Sequence, residues 1–163
     1  MKVGIFIGSD SDFPVVEDAI HLMKRFGVEF GLEVTSAHRS PERTKMLINE
    51  YEKMGVVVFI AVAGKAAHLA GFAASHTTRP VIGVPVGGSE LGGLDALLST
   101  SQMPKGIPVA CMGIGKSGAS NAALLAIQIL ALTDLSLQEK LNDYRLQMAK
   151  NVEAASQKIK DKI

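Results

Sequence analysis

The strongest constraint on the fold is a regular alternation along the chain. Short apolar runs, each long enough for one buried strand, alternate with stretches whose apolar residues recur at helical spacing. The runs that predict strands are Val3–Ile7, Phe30–Ser36, Val56–Val62, Val81–Val86 and Val109–Ile114. The stretches that predict helices are Phe13–Phe26, Pro41–Met54, Ala66–His76 and Asn121–Leu132, the last capped by Ser120 or Asn121. Apolar strands that alternate with helices indicate a parallel sheet covered on both faces.

Five strands in a chain of 163 residues predict one α/β domain of flavodoxin-like topology. This is a three-layer α/β/α sandwich around a five-stranded parallel sheet, which we assign to residues 1–134. Residues 135–163 are predicted to form one long C-terminal helix, because their apolar side chains recur every three or four positions. Such a helix spans about 40 Å. Since its own domain cannot cover an apolar stripe of that length, we expect it to pack on a neighbouring subunit.

Composition and charge exclude several classes of function. Hydrophobic residues make up 47% and charged residues 20%, which is typical of a globular chain. The 17 Lys and Arg residues nearly balance the 16 Asp and Glu residues, so there is no basic footprint for nucleic acid. The apolar run Val56–Ala63 is too short to span a membrane, and the single cysteine is typical of a reducing compartment. We therefore expect a soluble, cytoplasmic protein that binds neither nucleic acid nor membranes.

Ligands of an α/β sheet bind at the loops that follow its strands, so these loops are the first place to look for a site. In the loop at residues 8–12, the hydroxyls of Ser9 and Ser11 lie at a predicted helix start, which suits a phosphate group. Ser and Asp are also common helix caps, and this purely structural alternative stays open. Asp10 and Asp12 would repel a phosphate unless one of them turns away to bind a ribose hydroxyl.

The loop at residues 36–41 places His38 and Arg39 at the same predicted edge of the sheet. Arginine offers two parallel donors to a phosphate, and an imidazole can give and take a proton within one cycle near neutral pH. The loop at 63–71 has small residues that let a ligand approach the backbone, and Lys65 adds a positive charge for a carboxylate. His68 is either part of this site or a structural histidine.

Several cofactor sites are not predicted. The loop after the third strand matches neither the Walker A spacing nor the glycine fingerprint of dinucleotide-binding folds, so neither ATP nor NAD is supported. The four histidines and one cysteine lack metal-ligand spacing, so no metal site is predicted. The glycine-rich segment 87–93 is interpreted as a lid or as a subunit contact.

Six segments in chain order carry a resemblance to a known family. They are GSDSD at 8–12, SAHRSP at 36–41, AGKAAHLAG at 63–71, PVIGVPV at 80–86, QMPKGIPVA at 102–110 and SNAALLAIQIL at 120–130. From about Lys2 to Met148, the chain resembles the 5-(carboxyamino)imidazole ribonucleotide mutase (PurE) family of purine biosynthesis. The resemblance implies flavodoxin-like subunits in an octamer, which gives the C-terminal helix a partner. It also implies a reaction that needs no metal and no organic cofactor.

The resemblance further implies a substrate, a reaction and the roles of individual residues. The substrate is an imidazole ribonucleotide, and its carboxylate moves from the exocyclic nitrogen to ring carbon 4, giving 4-carboxy-5-aminoimidazole ribonucleotide. His38 would be the acid and base of this reaction. The binding residues would be Ser9, Ser11 and Arg39 for the 5′-phosphate, Asp12 for the ribose hydroxyls, Ser36 along the nucleotide, and Gly64, His68 and Leu69 around the migrating carboxylate. We expect Lys65 to pair with the substrate carboxylate or with a nearby acid such as Glu90.

Two departures from the family pattern lie in the third loop. Bacterial mutases usually have glycine where Lys65 stands and proline where Ala70 stands. A related class, which carboxylates aminoimidazole ribonucleotide directly with carbon dioxide, has arginine at the Lys65 position but lacks a histidine at the His68 position. The SAHR, HL, QMP and NAALLA motifs favour the mutase. The positive charge at Lys65 leaves direct carboxylation as the alternative, and a catalytically silent nucleotide-binding module is a third hypothesis.

Overall fold

A five-stranded, all-parallel sheet forms the centre of the computed structural model, which describes residues 1–163. The strand order across the sheet is β2-β1-β3-β4-β5. The strands are β1 (Val3–Ile7), β2 (Phe30–Val34), β3 (Val58–Gly64), β4 (Val81–Val86) and β5 (Ala110–Cys111). The predicted flavodoxin-like α/β class is therefore confirmed.

Six α-helices connect or follow the strands. They are α1 (Phe13–Phe26), α2 (Pro41–Lys53), α3 (Leu69–Ala74), α4 (Leu94–Ser101), α5 (Lys116–Ala131) and α6 (Leu135–Lys160). A short 3-10 turn at Asp10–Asp12 precedes α1. None of these helices is both long and apolar enough to cross a membrane.

Both faces of the sheet are buried, as the continuous apolar strands predict. On one face, Phe6 and Phe59 pack with Tyr51 of α2, and the two phenylalanine rings lie 5.5 Å apart. Residues one position along, such as Ile5 and Ile60, are buried to the same degree and point to the opposite face because side chains alternate along a strand. The helices therefore cover the sheet on two sides and leave only its edges and loops for a ligand.

The amphipathic pattern of α1 is confirmed residue by residue. The apolar positions whose helical spacing predicts this helix are Val16, Ala19, Ile20, Met23 and Phe26, and these are its buried side chains. The helix ends at Gly27, whose φ of 73° is the left-handed conformation that a helix C-terminus favours.

Helix α4 was not predicted from the sequence. This helix begins after Gly93, which has a φ of 90° and offers no side-chain cap. Its buried residues are small, Ala96 and Thr100, whereas Leu94 and Leu98 are exposed. Leu94, Leu97 and Leu98 do recur at helical spacing, but glycine stands where a polar cap is usual and none of these leucines is fully buried.

Strands β2 and β3 differ from their predicted ranges, Phe30–Ser36 and Val56–Val62, by two residues, and three other elements differ by three residues or more. Strand β5 has only two residues, and α3 begins at Leu69 instead of Ala66. Helix α5 begins at Lys116, so neither Ser120 nor Asn121 caps it. A Cβ atom on Gly118 would lie 1.7 Å from the carbonyl oxygen of Gly113, so this glycine lets the first turn pack directly against the preceding loop. Glycine normally disfavours a helix interior, which is why the start was predicted too late.

The chain forms two compact units, residues 1–127 and 128–163. The first contains the sheet and helices α1 to α4. In the second, α6 runs for 26 residues, or about 39 Å, and only Leu137 along it is buried. The side chain of Asp134 caps α6 by accepting a hydrogen bond from the Leu137 backbone at 3.2 Å.

Candidate active site

A cavity of about 410 Å³ lies at the carboxyl edge of the sheet, where the loops after β1, β2, β3 and β4 meet. Strand β1 lies between β2 and β3, so the chain leaves β1 in one direction and later crosses back to its other side. Ligands of doubly wound folds bind at such a reversal. All ten site residues predicted from the sequence line this one cavity: Ser9, Ser11, Asp12, Ser36, His38, Arg39, Gly64, Lys65, His68 and Leu69.

The first loop presents two hydroxyls held at a fixed spacing. Ser11 Oγ donates to Ser9 Oγ at 2.9 Å, and Ser9 Oγ donates to Asp10 Oδ1 at 3.0 Å. The Asp10 carboxylate also accepts a hydrogen bond from the Ser11 backbone at 3.0 Å and does not line the cavity. Asp10 therefore orients the two serines, and Asp12 is the carboxyl group of this loop that faces a ligand.

The second loop is tied both to itself and to the first loop. The Arg39 backbone donates to Ser36 Oγ at 3.2 Å, and the Arg39 guanidinium donates to the Gly8 carbonyl at 3.0 Å. Beneath the loop, the buried hydroxyls of Thr35 and Thr44 lie 2.7 Å apart. One guanidinium edge is thus anchored beside the two serines, and its remaining donors are available to an anion in the cavity.

The two histidines of the cavity form a direct pair. His38 Nε2 and His68 Nδ1 are 2.7 Å apart, and the ring planes meet at 78°. One of these two ring nitrogens donates and the other accepts, so one N–H proton lies between the two exposed imidazoles. His68 was predicted to be either part of the site or a structural histidine. It lies in the cavity and not in the core.

Lys65 has an unusual backbone for its residue type. Its φ of 54° makes it the only non-glycine residue of the chain in the left-handed region. For an L-residue this conformation costs about 1–2 kcal/mol. The side chain is exposed and pairs with no carboxylate, so the expected ion pair with Glu90 is absent. The ammonium group at the cavity is therefore free to meet an anionic ligand.

The end of β4 and the loop after it contribute lining residues that were not predicted as part of the site. They are Val86, Gly87, Gly88 and Ser89. Ser89 Oγ donates to Asp95 Oδ1 at 2.7 Å and accepts from the backbones of Leu91 and Gly93, both at 3.2 Å. The signal was present, because this segment also follows a strand at the carboxyl edge, but its glycines gave no hint of specific chemistry.

The metal-ligating residue types do not cluster anywhere in the chain. No group of three or more His, Cys, Asp or Glu side chains lies close enough together to hold a metal ion. The single cysteine, Cys111, is half-buried in β5, and burial raises the pKa of its thiol.

This arrangement defines a class of protein: an α/β fold whose sheet-edge cavity holds a hydrogen-bonded histidine pair together with an arginine and a lysine. Residues 2–151 match the family described as AIR carboxylase. The chain belongs to this family.

Individual relatives agree with that assignment. The chain is 50% identical over 157 residues to the N5-carboxyaminoimidazole ribonucleotide mutase of Methanocaldococcus jannaschii, covering 96% of both proteins. It is also 50% identical to the phosphoribosylaminoimidazole carboxylase of Candida albicans, but that match covers 92% of this chain and only 26% of the relative. The crystal structure of Treponema denticola PurE superposes with a TM-score of 0.85 at 29% identity, covering 93% of this chain and 94% of the other. The family membership that the six motifs predict is therefore confirmed.

The environment of Asp12 leads to a testable prediction about stability. Burial raises the pKa of this carboxyl group, the nearby Asp10 raises it further, and a backbone hydrogen bond from Ser9 and the charge of Arg39 oppose the shift. The folded chain therefore holds the proton more tightly than the unfolded chain does. The proton on Asp12 therefore stabilises the folded state at pH values below 3.8, the ordinary pKa of this group. This stabilisation is lost as the pH rises through the higher pKa of the folded state.

We therefore expect Asp12→Asn to be more stable than the parent at neutral pH, with the difference shrinking as pH falls toward 3.8. Urea unfolding at a series of pH values measures the free energy of unfolding of both proteins. Asp18→Asn, at an exposed position of α1, controls for the loss of one negative charge. A stability difference that stays constant from neutral pH to below 4 would contradict the prediction.

Proposed function

We propose that this chain is an N5-carboxyaminoimidazole ribonucleotide mutase of purine biosynthesis. The observation that carries the proposal is the hydrogen-bonded pair of His38 and His68 in a cavity that also presents Arg39, two serine hydroxyls and Lys65. The relatives that match almost the whole chain, from archaea and from bacteria, bear this activity as their name. The mutase reading is thus favoured over a catalytically silent module.

We match the charged groups of the proposed substrate to the charged groups of the cavity. The 5′-phosphate lies at Ser9, Ser11 and Arg39, where hydroxyls and a guanidinium converge, and Asp12 accepts hydrogen bonds from the ribose hydroxyls. Ser36 lies along the nucleotide. The carboxylate lies at the other end of the cavity, and the residues around it are Gly64, Lys65, His68 and Leu69.

The reaction needs one proton delivered and one removed. Cleavage of the bond between the exocyclic nitrogen and the carboxylate releases carbon dioxide, and the nitrogen takes up a proton. Carbon 4 then attacks carbon dioxide, and the proton on carbon 4 must leave to restore the aromatic ring. His38 performs both transfers, giving the first proton and accepting the second, so the enzyme returns to its starting state.

Carbon dioxide must stay beside carbon 4 for the transfer to succeed. Small residues along β3 and its loop, Ala63, Gly64 and Ala66, leave space for it close to the backbone. Two reactants held in one cavity do not have to meet by diffusion. In favourable cases this lowers the activation free energy by about 7–11 kcal/mol. The positive charge of Lys65 stabilises the carboxylate before it leaves and again after it has formed.

The active form is proposed to be a homo-octamer. In residues 128–163, large apolar side chains are exposed over the length of α6 and the segment before it: Leu132, Leu135, Leu146, Val152 and Ile159. An apolar surface of this extent supports contact with further copies of the chain. The cytoplasmic location expected from the sequence stays a prediction.

A comparison of two substrates tests the proposed activity. One sample receives N5-carboxyaminoimidazole ribonucleotide at low bicarbonate, and the other receives aminoimidazole ribonucleotide at high bicarbonate. We expect the first to form 4-carboxy-5-aminoimidazole ribonucleotide at rates that the second does not approach. Efficient use of the second substrate alone would overturn the mutase and establish direct carboxylation, and binding without turnover of either would identify a silent module.

Replacement of the proposed acid and base gives a second prediction. Asparagine keeps a polar side chain of similar size but cannot carry the proton, so His38→Asn should lower kcat by about 10²–10⁴-fold or more. The affinity for the nucleotide, measured by calorimetry with the product, should change little. His21→Asn, at an exposed position of α1, is the matched control. A wild-type rate for His38→Asn would remove this residue from the mechanism.

A third prediction concerns the charge at position 65. Lys65→Gly should fold normally, because glycine adopts a φ of 54° without strain. We expect it to lower the rate or to change the preference between the two substrates. Lys65→Arg, which keeps the charge, should stay close to the parent. If Lys65→Gly leaves both quantities unchanged, Lys65 is a surface variation and takes no part in binding.

A further inference from the structure

Ser99 lies outside the cavity but is bonded to the loop that carries Lys65 and His68. It is half-buried in α4, and its hydroxyl accepts a hydrogen bond from the Ala67 backbone at 3.1 Å. The same hydroxyl donates to the Asp95 carbonyl one helical turn earlier at 2.5 Å. Because the hydroxyl proton is committed to Asp95, a lone pair of the oxygen faces Ala67.

The Ala67 amide has one other acceptor besides Ser99. Ala67 is 1% exposed, so water cannot replace a missing acceptor. The other acceptor is the Lys65 carbonyl at 2.9 Å, two residues back in the same turn, so Ser99 is the only partner that ties this buried amide to another element of the fold. The oxygen of Ser99 therefore satisfies a buried donor in the one segment of the chain where a non-glycine residue is left-handed.

The turn that Ser99 holds leads directly to the histidine pair. The His68 backbone donates to the Ala66 carbonyl at 2.8 Å, and His68 Nδ1 lies 2.7 Å from His38 Nε2. No other residue separates Ala67 from His68, so a shift of the Ala67 backbone moves the His68 ring. At 2.7 Å the contact lies at the short end of the hydrogen-bond range, so a shift of more than about 0.5 Å takes it out of that range.

We propose that Ser99 is a positioning residue: through the Ala67 backbone, its hydroxyl holds the 65–68 turn in place and thereby keeps His68 in hydrogen-bond contact with His38. The effect of Ser99 on catalysis rests on the proposed mutase function. Its effect on the arrangement of the two histidine rings is independent of that function. Helix α4 then has a role in catalysis although Ser99 touches no substrate.

Three variants of the full-length chain test this role. Ser99→Ala removes the hydroxyl, Ser99→Thr keeps it, and Ser101→Ala removes a hydroxyl from the end of the same helix without touching the third loop. We expect kcat of Ser99→Ala to fall about 10- to 100-fold with KM changed by no more than about twofold. Ser99→Thr should recover most of the rate, and Ser101→Ala should match the parent.

A second measurement follows the rings without any substrate. Long-range ¹H–¹⁵N spectra report the tautomer of each imidazole, and the loss of signals in His38→Asn and in a corresponding His68→Asn variant assigns the two rings. In the parent, the pair should show tautomer populations unlike those of a free imidazole. In Ser99→Ala, both rings should shift toward the free ratio, while the far-ultraviolet circular dichroism stays that of the folded chain.

The outcomes separate the two claims. Unchanged ring spectra and an unchanged kcat in Ser99→Ala would overturn the positioning role, as would a loss of rate that Ser99→Thr does not restore. If the parent itself does not turn over the carboxyamino nucleotide, the proposed function fails, and the ring spectra still decide whether Ser99 holds the pair. If Ser99→Ala does not fold, Ser99→Thr with parental spectra supports the role, and Ser99→Thr with free-imidazole spectra contradicts it.

Discussion

The pairing of β1 with strands on both sides is the constraint on which the site depends. The ladder continues beyond the strands themselves: the Gly8 backbone donates to the Val62 carbonyl at 2.9 Å, and the Thr35 backbone donates to the Ile7 carbonyl at 2.9 Å. These bonds fix the start of the first loop against β3 and the start of the second loop against β1. Three loops from distant parts of the sequence are thereby held at distances set by the spacing of a sheet, about 4.8 Å per strand.

This scaffold also separates the charges of the cavity. Arg39 is tied to the first loop through the Gly8 carbonyl, whereas Lys65 belongs to the loop after β3 and carries no partner. The carboxylate of Asp10, which would repel a phosphate, is engaged by its own loop. The cavity thus presents two cations on two different loops, which is consistent with the phosphate and the carboxylate of the proposed substrate. The histidine pair belongs to the loops that carry these two cations.

Much of this could be predicted because the relevant signals are local. The strands, the buried face of α1 and the clustering of the strand-end loops follow from periodicity and from the geometry of parallel sheets. What could not be predicted depends on features that hydrophobic periodicity does not report. Helix α4 has glycine in place of a polar cap, and the early start of α5 depends on the close approach of Gly118 to Gly113. The bond between His38 and His68 joins residues 30 positions apart, and no spacing rule reports it.

The left-handed conformation of Lys65 belongs to the same category, and its energetics bear on why a charge stands there. The strain costs about 1–2 kcal/mol, while an exposed ion pair returns only about 0–1 kcal/mol. In the open cavity, therefore, the charge does not offset the strain. A substrate that fills the cavity displaces water, and two unit charges 4 Å apart then interact by about 4 kcal/mol at an effective dielectric constant near 20. With the carboxylate bound as proposed, the sign reverses: Lys65 lowers the stability of the free protein and stabilises the complex, so its strained conformation is consistent with the proposed binding role.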